Sequence, residues 1–229
     1  MIPLALKPLS KKKNKIFFWF FIPLLIITSC TSKPATVKEY LTFLNNPDNK
    51  LVALKKINGL EIKVKYLPPG YLTYLEESKD DHPYSPQKID SLLKSYSKSK
   101  TFLMTIGQDK ESGGSGDVMM RGIASYSEYK ERIMNMNFHM ENNVVLKTEY
   151  GDFYPVLSTL ENSYGLSESI SFYFVFADNE KSKNLNDSKE FNFTYSDETF
   201  GLGINHFFFS KKDMNNIDGF VSLKNPSFN

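Results

Sequence analysis

Three histidines are the first side chains to consider for catalysis or metal binding. His82 follows Asp80 and Asp81, and two carboxylates beside an imidazole are a donor set that could hold a divalent ion. The same residues stand directly before Pro83 in a polar stretch, which favours a solvated turn. We therefore expect no metal site, and Asp80, Asp81 and His82 are only weak candidates for one.

The other two histidines, His139 and His206, have apolar and aromatic neighbours in segments that we expect to be strands. A histidine in such a setting is more often a packing residue than a ligand, and no two histidines stand at a spacing typical of zinc sites. The glycine-rich stretch 113–117 lacks the last glycine of a nucleophile elbow and the lysine of a phosphate-binding loop. The sequence therefore predicts no catalytic residue and no cofactor.

Cys30 is the only cysteine, and the residues before it are informative. The apolar stretch Ile16–Ile27 and the small residues Thr28 and Ser29 lead up to it. A basic cluster precedes that stretch and consists of Lys7, Lys11, Lys12, Lys13 and Lys15. This order is the layout of an export signal. A permanent membrane span is the weaker interpretation, because a spanning helix needs ~20 apolar residues.

The string Ile27-Thr28-Ser29-Cys30 resembles the lipobox of bacterial lipoproteins, and the resemblance covers residues 1–30 only. It implies that the Cys30 thiol receives diacylglycerol, that the chain is cut before Cys30, and that the new amino group is acylated, with palmitate among the acyl groups. Two or more acyl chains anchor a protein stably to a lipid bilayer. In the same family, Thr31 in place of an aspartate favours the outer membrane. The lack of an acidic cluster in Thr31–Ala35 favours its periplasmic face.

Cleavage before Cys30 would reverse the sign of the net charge. The whole chain has 28 Lys and Arg against 26 Asp and Glu, a formal charge of +2. The five lysines of the signal leave with it, so 23 basic and 26 acidic residues give a charge of −3. The basic character belongs to the signal, and we therefore expect no nucleic-acid partner. With Cys30 acylated no disulfide can form, so the fold must depend on its core.

Helix start signals are few. Thr36–Glu39 is a capping box, the pair Ser85-Pro86 combines an N-cap with a first-turn proline, and Ser125-x-x-Glu128 is a second capping box. Apolar residues at helical spacing follow each of them. Ser210-x-x-Asp213 predicts a short fourth helix.

Alternating apolar and polar residues predict that most of the remaining chain forms strands. Leu51–Ile57 and Leu60–Leu67 flank Asn58-Gly59, which is typical of a tight hairpin turn. A second hairpin is predicted to pair Val144–Glu149 with Phe153–Ser158. The remaining predicted strands are Thr101–Ile106, Ile170–Phe176, Phe191–Tyr195 and Asn205–Phe209. We expect Ile170–Phe176 to be central, because both of its faces are fairly apolar.

These elements predict an α+β protein dominated by antiparallel β-structure, a β-sandwich with two or three short helices. We expect three regions along the chain. Residues 1–29 are the signal peptide, 30–36 the lipidated anchor with a short tether, and 37–229 a single β-rich globular domain.

Two classes of function remain open. The first is a membrane-anchored, non-catalytic binding or assembly component that contacts another envelope protein; the anchor, the aromatic-rich domain and the missing catalytic motifs favour it. The alternative is an envelope hydrolase acting on glycan or peptide. Its support is Asp80, Asp81, His82, His139 and His206, together with two long loops, and clustering of these polar groups in one pocket would favour it.

Overall fold

The computed structural model describes residues 36–161 and 168–217. In this part of the chain the α-helices are α1 (Val37–Asn45), α2 (Pro69–Glu77), α3 (Pro86–Tyr96), α4 (Tyr126–Phe138) and α5 (Lys211–Asn215). The strands are β1 (Val52–Ile57), β2 (Leu60–Leu67), β3 (Ser99–Gln108), β4 (Val144–Thr148), β5 (Gly151–Phe153), β6 (Leu157–Leu160), β7 (Ser169–Ala177), β8 (Glu190–Asp197) and β9 (Gly203–Ser210). No helix among these residues is both long enough and apolar enough to cross a membrane.

Two antiparallel sheets pack face to face. The five-stranded sheet has the order β1-β2-β3-β7-β6, and the four-stranded sheet has the order β5-β4-β8-β9. Aromatic rings from both sheets meet between them. The ring centroid of Phe193 in β8 lies 5.4 Å from that of Phe102 in β3 and 5.8 Å from that of Phe174 in β7. The predicted fold class, a β-dominated α+β sandwich, is confirmed.

The first predicted hairpin is confirmed, with β1 and β2 paired from Ile57 and Leu60 outwards. Asn58 has a φ of 52° and Gly59 a φ of 74°. Two successive positive φ angles are what a type I′ turn requires, and asparagine followed by glycine tolerates them best. The Arg121 guanidinium donates to the carbonyl oxygens of both turn residues, which ties the hairpin tip to the loop before α4.

The predicted central strand is also confirmed, because β7 lies between β3 and β6. Its side chains alternate between fully buried and half-buried along the whole strand. The buried set, Ile170, Phe172, Phe174 and Phe176, faces the four-stranded sheet. The half-buried set explains why the opposite face of this strand is also fairly apolar in the sequence.

The second predicted hairpin is shorter than expected. β4 pairs with only three residues of β5, and the chain then crosses to the other sheet, where β6 pairs with β7. Pro155 stands at this crossing and has no backbone N–H to continue a ladder. The next residue, Val156, donates its N–H to the Val175 carbonyl oxygen at 2.8 Å and so begins the new pairing.

The four predicted helix starts are confirmed by hydrogen bonds from backbone N–H groups to the cap side chains. The cap residues are Thr36, Ser85, Ser125 and Ser210. The helix α2 was not predicted, because its N-cap is Pro68, which has no side-chain hydrogen bond to signal a start. The expectation that His139 lies in a strand is wrong: it is the C-cap of α4, and its N–H donates to the Asn135 carbonyl oxygen at 2.9 Å.

Candidate functional site

The weak metal candidates lie in the turn between α2 and α3. The Asp80 Oδ2 atom is 3.8 Å from the Lys88 ammonium, which also lies 3.2 Å from the centroid of the Tyr84 ring. Asp81 and His82 are exposed in the same turn. In the described ranges, no group of three His, Cys, Asp or Glu side chains could hold a metal ion. The charged neighbour of the Asp80 carboxylate is therefore Lys88.

The other predicted residues lie on different elements. His139 ends α4, and His206 lies in the middle of β9 on the side of the four-stranded sheet that faces away from the core. The acids and histidines named for a hydrolase thus occupy a turn, a helix end and a strand. Cys30, the predicted lipidation site, lies outside the described residues.

The outward side of the four-stranded sheet, which we call the outer face, is built by strand alternation. Successive side chains of a strand point to opposite faces. In the run Phe207-Phe208-Phe209, the first and last rings are buried, whereas Phe208 is 70% exposed. Ile204, which lies four residues before Phe208 on the same side of β9, is 67% exposed. The outer face therefore presents large apolar side chains to solvent.

A groove of about 590 Å³, which we call the outer groove, crosses this face beside Phe208. It lies between the β4–β5 turn and β9, with β8 between them. Its lining residues are Lys147, Thr148, Glu149, Tyr150, Lys189, Glu190, Phe191, Asn192 and Phe208. Tyr150, which is 51% exposed, and Phe208 provide the accessible aromatic surface.

Local hydrogen bonds fix Tyr150 at one side of the groove. Its N–H donates to Thr148 Oγ1 at 3.1 Å, and that hydroxyl donates to the Gly151 carbonyl oxygen at 3.3 Å. Gly151 has a φ of 127°, a backbone conformation that favours glycine. These two hydrogen bonds therefore fix the backbone of the β4–β5 turn at Tyr150.

The rim of the outer groove carries both signs of charge, from Lys147, Lys189, Glu149 and Glu190. Lys147 pairs with Asp152 of β5 at 3.7 Å. The Lys189 N–H donates to Glu149 Oε1 at 2.6 Å. Burial opposes ionisation of Glu149, but backbone N–H donors and the Lys189 charge outweigh it and lower the pKa of this carboxyl. Glu149 is therefore anionic at neutral pH, and the rim is balanced in charge.

A polar cluster adjoins the groove on the outer face. His206 Nδ1 lies 3.1 Å from Thr194 Oγ1 and 3.3 Å from Asn192 Nδ2. Because an amide nitrogen only donates, Nδ1 accepts, and the proton of the neutral imidazole lies on Nε2. The ring stacks beside Phe208 with centroids 6.4 Å apart. The outer face thus offers a hydrogen-bond donor next to its exposed aromatic ring.

The contact between Thr194 and His206 resembles a nucleophile beside a base, but pairing in the sheet accounts for it. The two residues are directly opposite each other in the β8–β9 ladder. The imidazole also contacts the side chain of Asn192, which is a neutral amide. In a hydrolytic triad the corresponding partner of the histidine is a carboxylate. The pairing of β8 with β9 and the Asn192 amide therefore account for the contacts of this imidazole.

The sequence reasoning missed the outer groove. A signal for part of it was present, because three consecutive phenylalanines on one strand cannot all face the same core. Nothing in the sequence placed Tyr150 near Phe208, since that proximity depends on the pairing of β4 with β8 and of β8 with β9.

The sequence matches no family model and no curated protein. A solved structure with a partly similar arrangement is described as a novel protein of unknown function from Burkholderia pseudomallei K96243. The two sequences are 7% identical, and the alignment covers 81% of this chain and 91% of the other, with a TM-score of 0.36.

Proposed function

We propose that this protein is a lipid-anchored lipoprotein of the bacterial cell envelope that binds another envelope protein through the outer groove. The lipobox resemblance at Cys30 supports attachment through lipid, and Thr31 and the lack of an acidic cluster in Thr31–Ala35 support the periplasmic face of the outer membrane. The domain itself acts as a non-catalytic binding or assembly component. The exposure of Phe208 beside Tyr150 is the observation that carries this proposal.

Phe208 and Tyr150 are exposed aromatic residues that line the same groove, and adjoining exposed apolar side chains mark an interaction surface where isolated ones do not. Phe208 is 70% exposed although it lies within a well-paired strand, where a polar residue would have been equally compatible with the sheet. Burial of such a ring against a partner removes ~140 Å² from water, which at ~25 cal/mol per Å² is worth ~3.5 kcal/mol. The ring therefore has the energetic weight of a binding hot spot.

The chemistry of the groove fits a protein better than other partners. Aromatic residues at the centre and charges at the rim are the usual composition of a protein interface. A rim with two lysines and two glutamates offers no net positive charge to a nucleic acid. The same four charges would be costly at a bilayer surface if Phe208 were inserted into hydrocarbon. The partner that fits is a protein segment with an apolar side chain between Tyr150 and Phe208.

Site-specific photo-crosslinking in intact cells tests the proposal. A photoreactive phenylalanine is placed at position 208 and, as a matched control, at Tyr126, an 80% exposed aromatic residue on α4. We expect one envelope protein to be captured from position 208 and not from position 126. Capture of a second copy of this chain, or equal capture from both positions, would contradict the proposal.

Binding of the purified partner then gives the energetic test. Phe208→Ala should weaken binding by roughly 2–3 kcal/mol, which is about thirty- to 150-fold in Kd. Tyr126→Ala should leave Kd unchanged. Because both side chains are exposed, both variants should keep the melting temperature of the wild type within a degree or two. Unchanged affinity of Phe208→Ala at equal stability would refute the role of the groove.

A further inference from the structure

Lys65 is a buried cation on the side of the five-stranded sheet that faces away from the core. The residue is 8% exposed and lies in β2 between Val52 of β1 and Leu103 of β3. Its ammonium donates to Asn45 Oδ1 at the end of α1, at 2.8 Å. It also lies 5.2 Å from the centroid of the Tyr71 ring on α2. The side chain is thus enclosed by the end of α1, the start of α2 and the two neighbouring strands.

No carboxylate compensates this charge in the described residues. The ion pairs recorded there do not include Lys65. The pKa of Lys65 is lowered to about 8, mainly because the side chain is buried. A smaller contribution comes from repulsion by the Lys63 ammonium, which lies two residues away on the same side of β2. A buried ammonium normally has an anionic partner, because a neutral amide recovers only part of its lost hydration.

Two tyrosines lie on α2, and the Lys65 ammonium lies 5.2 Å from the ring centroid of the first of them, Tyr71. Tyr71 and Tyr74 are half-buried one helical turn apart on α2, with ring centroids 6.4 Å apart. Neither phenol oxygen has a recorded hydrogen-bond partner among residues 36–161 and 168–217. Burial, with smaller contributions from Tyr74 and Glu161, raises the pKa of Tyr71, so its hydroxyl keeps its proton and can donate. Tyr71, which lies beside the Lys65 ammonium, is therefore a hydrogen-bond donor next to this cation.

We propose that Lys65, with Lys63, Tyr71 and Tyr74, binds a compact oxyanion, a phosphate or a carboxylate group of a ligand. The oxyanion would complete the coordination of the ammonium and accept from the tyrosine hydroxyls. Glu161 limits the size of the ligand, because it lies near Tyr71 and accepts from the Tyr173 hydroxyl at 3.4 Å. A negative boundary favours a single compact anion over a polyanion. This site is on the other sheet from the outer groove and does not depend on the proposed function.

Direct observation of Lys65 tests the site. The full chain in an uncharged detergent is labelled at lysine, and the Lys65 side-chain NMR signal is assigned by its loss in Lys65→Met. Inorganic phosphate and acetate are titrated at pH 7, at constant ionic strength with chloride. We expect a saturable shift of the Lys65 signal with at least one of the two anions. A Lys55→Met variant is the control, because Lys55 is a partly buried lysine on the adjacent strand whose ammonium lies 5.5 Å from the Phe207 ring and not beside Tyr71, so it should not alter the response.

The pH dependence provides a second, independent measurement on the wild-type chain. A bound anion stabilises the ammonium, so the midpoint of Lys65 titration should rise from about 8 when phosphate or acetate is present. The other facing groups are Lys63, Tyr71, Tyr74, Glu161 and Tyr173. The pKa of Tyr71 is raised above its usual value and that of Tyr173 is about 12, so neither titrates near pH 8. This result needs no variant and remains valid if Lys65→Met misfolds.

A lipid headgroup could supply the same chemistry as a free anion. The full chain is therefore also placed in vesicles with and without phosphatidylglycerol. A Lys65 shift with vesicles alone would identify the headgroup as the source, and a shift with soluble phosphate or acetate would identify a free ligand. No response of the Lys65 signal in any of these conditions, or an equal thermal stabilisation of wild type and Lys65→Met, would overturn the proposal.

Discussion

Replacement of Phe193 by alanine would remove the ring that joins the two sheets. Phe193 is 0% exposed and contacts rings from both sheets. Its centroid lies 5.4 Å from Phe102, 5.8 Å from Phe174, 6.1 Å from Phe176 and 6.4 Å from Phe207. Three of these partners belong to the five-stranded sheet, so the substitution opens a cavity at the interface and not within one sheet.

The expected loss of stability follows from burial and from these ring contacts. Phe→Ala at a fully buried site costs ~3–5 kcal/mol, through lost transfer energy and the cavity left behind. Favourable ring pairs contribute roughly 0.5–1.5 kcal/mol beyond area burial, which places Phe193 at the upper end of that range. We therefore expect a loss of about 4–5 kcal/mol. In a protein of this size, each kcal/mol lowers Tm by ~2–4 °C, so Tm should fall by about 8–20 °C.

Guanidinium chloride unfolding of the full chain in uncharged detergent, followed by circular dichroism, measures this loss. Phe208→Ala is the matched control, because it removes the same ring from the adjacent strand at a position that is 70% exposed. It should change the free energy of unfolding by less than about 0.5 kcal/mol. A loss below ~2 kcal/mol for Phe193→Ala, or equal losses for the two variants, would refute the assigned packing between the sheets.

Three further predictions concern a turn, a buried carboxylate and the anchor. Gly59→Ala should destabilise by about 1 kcal/mol in thermal melts, because Gly59 has a positive φ of 74°, whereas Asn58→Gly should be nearly neutral. The Ser112 hydroxyl, followed by Lys56, lowers the pKa of Asp109. The stabilisation from Asp109 is therefore present above pH ~4 and is lost as the pH falls through the lower pKa of the folded state. Asp109→Asn should lower Tm at pH 7, and the decrease of Tm in acid should be smaller than in the wild type. Cys30→Ser should abolish labelling by radioactive palmitate and release the protein from membranes, and retained labelling would contradict lipidation at Cys30.

Local patterns were sufficient for much of the fold. The Asn58-Gly59 turn and the alternation in β7 depend on backbone preference and on a period of two, which neighbouring residues set by themselves. The serine and threonine N-caps depend on a side chain that binds a backbone N–H two or three residues later. Helix α2 escaped prediction because its start is marked by proline and not by such a side chain.

The candidate sites required the tertiary structure, because each joins residues that are far apart in the chain. The outer groove needs β4 and β9 to lie on either side of β8, which brings Tyr150 to the same face as Phe208. Lys65 is an ordinary polar residue of an alternating strand until the end of α1 and the start of α2 cover it. The sequence by itself determined the type and position of most elements, since these follow from local sterics and hydrogen bonds. Only the packing of distant elements decided which aromatic ring remained exposed and which charge was buried, because burial depends on contacts that no local pattern encodes.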